Sequence, residues 1–150
     1  MTSLNDLIKH QAPMRLIDTF VAGTEAQAHC QALITAENLF YREALEGIPA
    51  HAGIELMAQT IAAAAGNRNR ENDEPIKIGF LLGARKYTCA VKAFKLGFCY
   101  DIFAEEIHAE ESGLSVFSCR IEHSGETIAE ARLNVFQPPN EAEFIKDNYE

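Results

Sequence analysis

The sequence has no C-x-x-C pair, no Gly-rich phosphate loop, no G-x-S-x-G elbow and no apolar stretch long enough to cross a bilayer. Each absence removes a class of protein. Without close thiol spacing, Cys30, Cys89, Cys99 and Cys119 are expected as buried thiols in apolar or alternating segments, forming neither a disulfide nor a zinc site. The histidines are dispersed and cannot supply three or four convergent ligands, so neither a metal nor a cofactor is expected. A net charge of −9, from 13 Lys and Arg against 22 Asp and Glu, is wrong for a chain that neutralises nucleic-acid phosphates. The opening MTSLNDLIKH lacks the basic-then-apolar order of a signal peptide. With no membrane span either, a cytoplasmic protein is expected.

What remains is enough for one core. At 150 residues and 47% apolar, the chain reads as one domain over residues 1–150, with an acidic, loosely held tail over 138–150. Residues 3–8 suit a short helix capped by Ser3 or Asn5, and Pro13 marks a turn into a first strand near Leu16–Val21. A second strand is expected over Ala26–Ile34, followed by a loop from Thr35 to Gly47.

A helix then begins near Pro49, a residue suited to a first turn, and stops at Gly66, a residue suited to a C-terminus. Between them AHAGIELMAQTIAAAA is apolar almost all round, and a helix apolar on every face is buried on every face. Its polar residues His51, Glu55 and Gln59 recur every fourth position and form one narrow line along the cylinder. After the polar loop Asn67–Pro75, strands are expected over Ile76–Leu82 continuing through Tyr87–Val91, then Tyr100–Ala109, Leu114–His123 and Thr127–Phe136. Glu111-Ser112-Gly113 and Ser124-Gly125 are the turns between the last three, the second suiting a tight hairpin. In the last strand Ala129, Ala131, Leu133 and Val135 alternate with Glu130, Arg132 and Asn134, giving one buried and one wet face.

One buried helix, two strands before it and an antiparallel meander after it describe an α+β hot-dog fold, a curved sheet wrapped around a single central helix. Such a sheet leaves an edge strand open, and pairing with a second subunit into a continuous sheet is the expected remedy. Arg85, Lys86, Lys92 and Lys95 concentrate positive charge in an acidic chain, which makes either a docking patch or a solvated strand edge guarded by cations.

The segment Ile8-Lys9-His10-Gln11-Ala12-Pro13-Met14-Arg15-Leu16-Ile17-Asp18 resembles the L-P-H-R-x-P-x-L-L-x-D opening of the 3-hydroxyacyl-carrier-protein dehydratases, with His10, Pro13, Leu16 and Asp18 matching. Pro49, Glu55, Ala58 and Gln59 are in register with that family's P-G-x-x-x-x-E-x-x-A-Q helix, and Gly79 to Tyr87 is similar to the strand that follows. The departure is at the chemistry. The family's G-H-F-P-G histidine stands fourteen positions before the glutamate, where this chain has Tyr41. The sequence is more similar to the divergent dehydratase-like proteins of aryl-polyene clusters, whose P-A-x-x-G-[IL]-E-x-x-A-Q is met by Pro49, Ala50, Gly53, Ile54, Glu55, Ala58 and Gln59. The resemblance implies an acyl thioester substrate on acyl carrier protein or CoA, and work as a homodimer or as a mixed dimer with another hot-dog subunit.

Dehydration of a 3-hydroxyacyl thioester needs a base for the α-proton, an acid for the departing hydroxide and donors for the thioester carbonyl. Glu55 is the expected acid–base residue, because an ionisable group in an apolar helix is costly unless it has a task or a partner. The bland reading is a structural glutamate bonded to backbone or to an arginine. His51 lies one turn earlier on the same face and is a candidate to replace the missing histidine, or a helix-start histidine with a structural bond. His10 matches a family position, as a third candidate for the acid–base work, but at a strand entrance it suits a turn-stabilising role better. Gln59, Gly53 and Arg85 are the expected substrate-binding residues, with Gln59 favoured as a support for Glu55. A hot-dog thioesterase would use Glu55 on water or on the carbonyl, and His51-Ala52-Gly53 is faintly similar to that class's H-G-G helix start. A third reading is a non-catalytic subunit that completes another hot-dog dehydratase.

Overall fold

The computed structural model describes residues 14–24, 26–71 and 80–137; the expected helix over residues 3–8, His10 and the tail over 138–150 lie outside them. The strands are β1 Thr19–Gly23, β2 Gln27–Leu33, β3 Gly47–Pro49, β4 Phe80–Cys89, β5 Ala93–Lys95, β6 Cys99–Ala109, β7 Leu114–His123 and β8 Glu126–Phe136, with one helix, α1, over Gly53–Glu71. Six strands form one antiparallel sheet in the order β1-β2-β6-β7-β8-β4, and β3 and β5 form a separate ribbon. This is the hot-dog arrangement of a curved antiparallel sheet around one helix.

Period-2 alternation fixes which face of the sheet meets the helix. Ala28, Cys30 and Ala32 of β2, Tyr100, Ile102 and Ala104 of β6, and Phe117, Cys119 and Ile121 of β7 are all buried, and their neighbours in sequence point outward. The small residues of β2 let α1 lie close to the sheet. Leu56, Met57 and Ile61 fill the space between, each contributing about 1.5–3 kcal/mol through burial. At the β7–β8 hairpin Ser124 and Gly125 both have positive φ (52° and 80°), the mirror-image turn whose twist matches the strands it joins.

Several boundaries differ from the sequence reading. Leu16 and Ile17 are buried but lie ahead of the first strand, crossing the helix instead of joining the sheet. The expected loop from Thr35 to Gly47 contains a single 3-10 turn, Glu43–Leu45, and runs into β3, which with β5 was not foreseen; three-residue strands carry too little alternation to be seen in sequence. The helix is preceded by a 3-10 turn, Ala50–Ala52, and passes through Gly66 to Glu71, because a glycine packed in a helix interior weakens the helix without ending it. Nor is the helix buried on every face. His51 is exposed, and Ile54, Glu55, Ala58, Ala62 and Ala65 are half-buried, forming one partly open stripe at helical spacing. Cys99 is likewise exposed, not buried, because it faces away from the helix at the start of β6.

Candidate active site

The polar line along the helix changes from wet to dry as it runs: His51 is exposed, Glu55 half-buried and Gln59 fully buried. Gln59 uses its whole amide. Its Oε1 accepts the Leu16 N–H at 2.7 Å, and its Nε2 donates to the Met14 carbonyl at 2.8 Å and to Glu55 Oε1 at 3.1 Å. Because the Leu16 N–H needs an acceptor and the Met14 carbonyl needs a donor, the amide cannot be turned over. Gln59 therefore ties the strap at Met14–Leu16 to the helix and orients one Glu55 oxygen in the same act. Behind the line the core is apolar, and burial pushes the thiols of Cys30 and Cys119 up to about 12, the first against an opposing hydrogen bond from Thr60. Thiols held so far from ionising are not nucleophiles.

A second side chain holds the start of the helix. Register on β4 places Ala84 opposite Leu133 on the inner face and Arg85 opposite Arg132 on the outer face. Strict alternation would turn Tyr87 outward with Arg85. A β-bulge between Arg85 and Thr88, with Lys86 at φ 53°, shifts the parity, and Tyr87 instead reaches the helix start, where its hydroxyl donates to the Ala50 carbonyl at 2.5 Å. Burial, and then the neighbouring Cys89 thiol, push the Tyr87 hydroxyl well above the usual phenol range, so it stays a neutral donor. Gly53 is required beside it: a Cβ there would stand 2.3 Å from the Tyr87 oxygen and 3.0 Å from the Phe94 ring. The Ala50 N–H meanwhile donates to Lys92 O at 3.0 Å, so the β3–β5 ribbon fixes the same turn from the other side.

Among the expected site residues that the structure describes, a hydrogen bond joins Glu55 to Gln59. His51 makes an edge-on contact with Phe40 at 6.5 Å between ring centroids. Gly53 serves packing against Tyr87. Arg85 is exposed on the outer face of the sheet, whereas Glu55 is on the helix that lines the inner face. Tyr41 is half-buried against the core, its N–H donating to the Asn38 carbonyl at 2.9 Å. On the outer face His29 Nε2 lies 2.7 Å from Asp101 Oδ1 and its ring stacks on Phe103. His123 stacks on Phe98 and lies beside the Tyr100 ring. Among the described residues no three His, Cys, Asp or Glu side chains gather where a metal ion would fit. Tyr87 was missed from sequence because the bulge that turns it inward breaks the alternation used to read strands.

A curved antiparallel sheet around one helix, with a half-buried glutamate in that helix's first turns, defines a hot-dog protein of the dehydratase and thioesterase kind. Residues 2–146 match the ApeP-like family, described as ApeP dehydratase, and the chain belongs to that family. It is similar to a chain of the dehydratase heterocomplex ApeI:P from Xenorhabdus doucetiae, at 28% identity over 100% of this chain and 99% of that one, with a TM-score of 0.89. A conserved protein from Pseudomonas aeruginosa shares the fold at 15% identity and TM-score 0.67, covering 89% of this chain and 97% of its own. A hypothetical thioesterase with coenzyme A from Streptococcus pneumoniae does so at 14% identity and TM-score 0.61, covering 79% and 84%. No curated protein sequence matches the chain. Among the described residues no helix is long and apolar enough to cross a membrane.

Proposed function

We propose that this chain acts as a 3-hydroxyacyl-(acyl-carrier-protein) dehydratase subunit, with Glu55 as its acid–base residue and a second hot-dog subunit beside it. The observation that carries the reading is the Glu55–Gln59 pair: a half-buried carboxylate oriented by an amide that is itself fixed to the Met14–Leu16 backbone. In the reaction Glu55 takes the α-proton of the thioester, the C–O bond at the β-carbon breaks, the α,β double bond forms, and the proton leaves with hydroxide as water. Family membership and the likeness to the ApeI:P heterocomplex support elimination over hydrolysis. His51 is well exposed beside this carboxylate and is free to meet substrate or partner.

A second reading, a subunit that completes a catalytic partner, is favoured by Tyr41 at the family's histidine position. One experiment separates them. Glu55→Gln keeps shape but cannot exchange a proton, so enoyl product from a 3-hydroxyacyl carrier substrate should fall by about a hundred- to ten-thousand-fold, with and without a second hot-dog subunit. Retention of more than about a tenth of the rate by a folded variant makes Glu55 structural and leaves the completing-subunit reading. Release of free acid instead of enoyl product would mark a thioesterase.

A further inference from the structure

Tyr87 donates to an acceptor that already has a donor. The Ala50 carbonyl takes the Gly53 N–H from within its own 3-10 turn and the Tyr87 hydroxyl from β4 at 2.5 Å. Without the hydroxyl the carbonyl would still be satisfied, so completing the backbone hydrogen bonds is not the reason for this contact. Its effect is on place. A peptide unit is planar, and a carbonyl held by β4 also sets the direction of the His51 N–H at the far side of the same unit. The Ala50 N–H is bonded to the Lys92 carbonyl, and Gly53 is closed in by the Tyr87 oxygen and the Phe94 ring. The turn ahead of α1 therefore has little room to shift. The arrangement is costly to build. Lys86 holds φ at 53°, a left-handed conformation unfavourable for a residue with a Cβ, and only the bulge at this point turns Tyr87 inward. Backbone strain of this kind collects at functional sites.

We propose that Tyr87 is a positioning residue for the elimination, holding the start of α1 against β4 so that Glu55 meets the α-carbon at the right distance, an inference that rests on the reading above. The helix carries the effect. About 9 Å of α-helix, at roughly 1.5 Å per residue, separates Gly53 from Gln59, and Glu55 lies between them. Gln59 ties the far end of that stretch to Met14 and Leu16, and Tyr87 ties the near end to the sheet. One clamp alone would leave the helix free to tilt about it, and two fix where the carboxylate stands. Proton transfer is sensitive to such placement, because donor and acceptor must come within about 2.6–3.2 Å of each other. Tyr87 itself transfers no proton in this scheme. Its hydroxyl is committed to Ala50, and burial keeps it a neutral phenol.

The test is Tyr87→Phe in the full chain, assayed with a 3-hydroxyacyl carrier substrate and a second hot-dog subunit, alone and combined with Glu55→Gln. The single variant should lose roughly ten- to a hundredfold in kcat with KM within about twofold of wild type, and its pH–rate profile should keep its shape. Added to Glu55→Gln it should cost less than about twofold more, because a residue that acts by placing Glu55 has nothing left to place. Amide hydrogen exchange at Gly53, read without substrate, should accelerate as the turn loosens. Gly53→Ala, which keeps the hydroxyl but pushes it off Ala50, should lower kcat in the same way and serves if Tyr87→Phe does not fold. A kcat within about twofold of wild type would overturn the proposal. So would a loss that persists in full beside Glu55→Gln, an altered pH profile, which would make Tyr87 a proton donor, or unchanged exchange at Gly53. If Glu55→Gln alone keeps the wild-type rate, the acid–base reading falls with it, whereas unchanged exchange at Gly53 sinks only the clamp.

Discussion

Replacing Gln59 by leucine should uncouple the strap at Met14–Leu16 from the helix while keeping the volume of a fully buried side chain. Three hydrogen bonds disappear, but their losses are unequal. Met14 is 57% exposed, so water can take over its carbonyl, and half-buried Glu55 can likewise rehydrate. Leu16 is 4% exposed, and its N–H is left without an acceptor in an apolar setting. An unsatisfied buried donor costs about 1–3 kcal/mol and each of the other two bonds about 1 kcal/mol, roughly 3–5 kcal/mol together and about 2–4 kcal/mol once the added apolar side chain returns its part. With a urea slope of about 1–3 kcal/mol per molar, the midpoint should move down by roughly 1–3 M at fixed protomer concentration. Hydrogen exchange at the Leu16 amide should accelerate to match. A loss below about 1 kcal/mol with the Leu16 amide as protected as in wild type would refute the clamp.

Two further outcomes follow from the geometry. Gly53→Ala forces a Cβ against the Tyr87 oxygen and should destabilise by about 1–3 kcal/mol, and Tyr87→Phe, by removing that oxygen, should recover part of the loss, so a thermal double-mutant cycle that is additive would contradict the contact. Asp101 is subject to burial, which alone would raise it, but hydrogen bonds from Gln31 and His29 outweigh that and hold its carboxyl below the ordinary 3.8. A depressed carboxylate stabilises the fold above the unfolded value, and this is lost as pH falls through the folded one; Asp101→Asn should therefore unfold with a shallower acid limb below about pH 4, checked by urea midpoints at neutral and acid pH.

Much of the fold was legible because its signals are long. The alternation through Leu114–His123 and the Ser-Gly turn at 124–125 are strong period-2 patterns, and the apolar stretch after Pro49 has the length and composition of a core helix. What stayed hidden depends on where a segment lands. Whether Leu16 and Ile17 pair in the sheet or cross the helix is decided by Gln59, forty-three residues from Leu16, which local pattern cannot see. Gly66 carries the residue type of a stop, but its site inside the packed helix overrides that preference. The site was legible in part for the same reason. Glu55 and Gln59 are one helical turn apart, a spacing sequence gives directly, whereas Tyr87 meets the helix start only through the bulge in β4.

The unfinished parts of this chain lie together in a way that bears on the missing histidine. Elimination needs two proton transfers, one from the α-carbon and one to the departing hydroxyl, and a single carboxylate can perform both in turn only if the two positions lie on the same side of the acyl chain. A second subunit is one source for a group on the opposite side, since Tyr41 stands where the family's histidine does. The helix stripe from Ile54 through Ala58 to Ala62 is only half-covered, and β4 ends the sheet with Leu81 and Leu82 exposed. Apolar side chains beside an unpaired strand edge are a surface that a second subunit would remove from water. The same subunit, laid along the half-open helix, would approach the face that carries His51 and Glu55, so the stability of the assembly and the completion of the proton path would be satisfied by one contact.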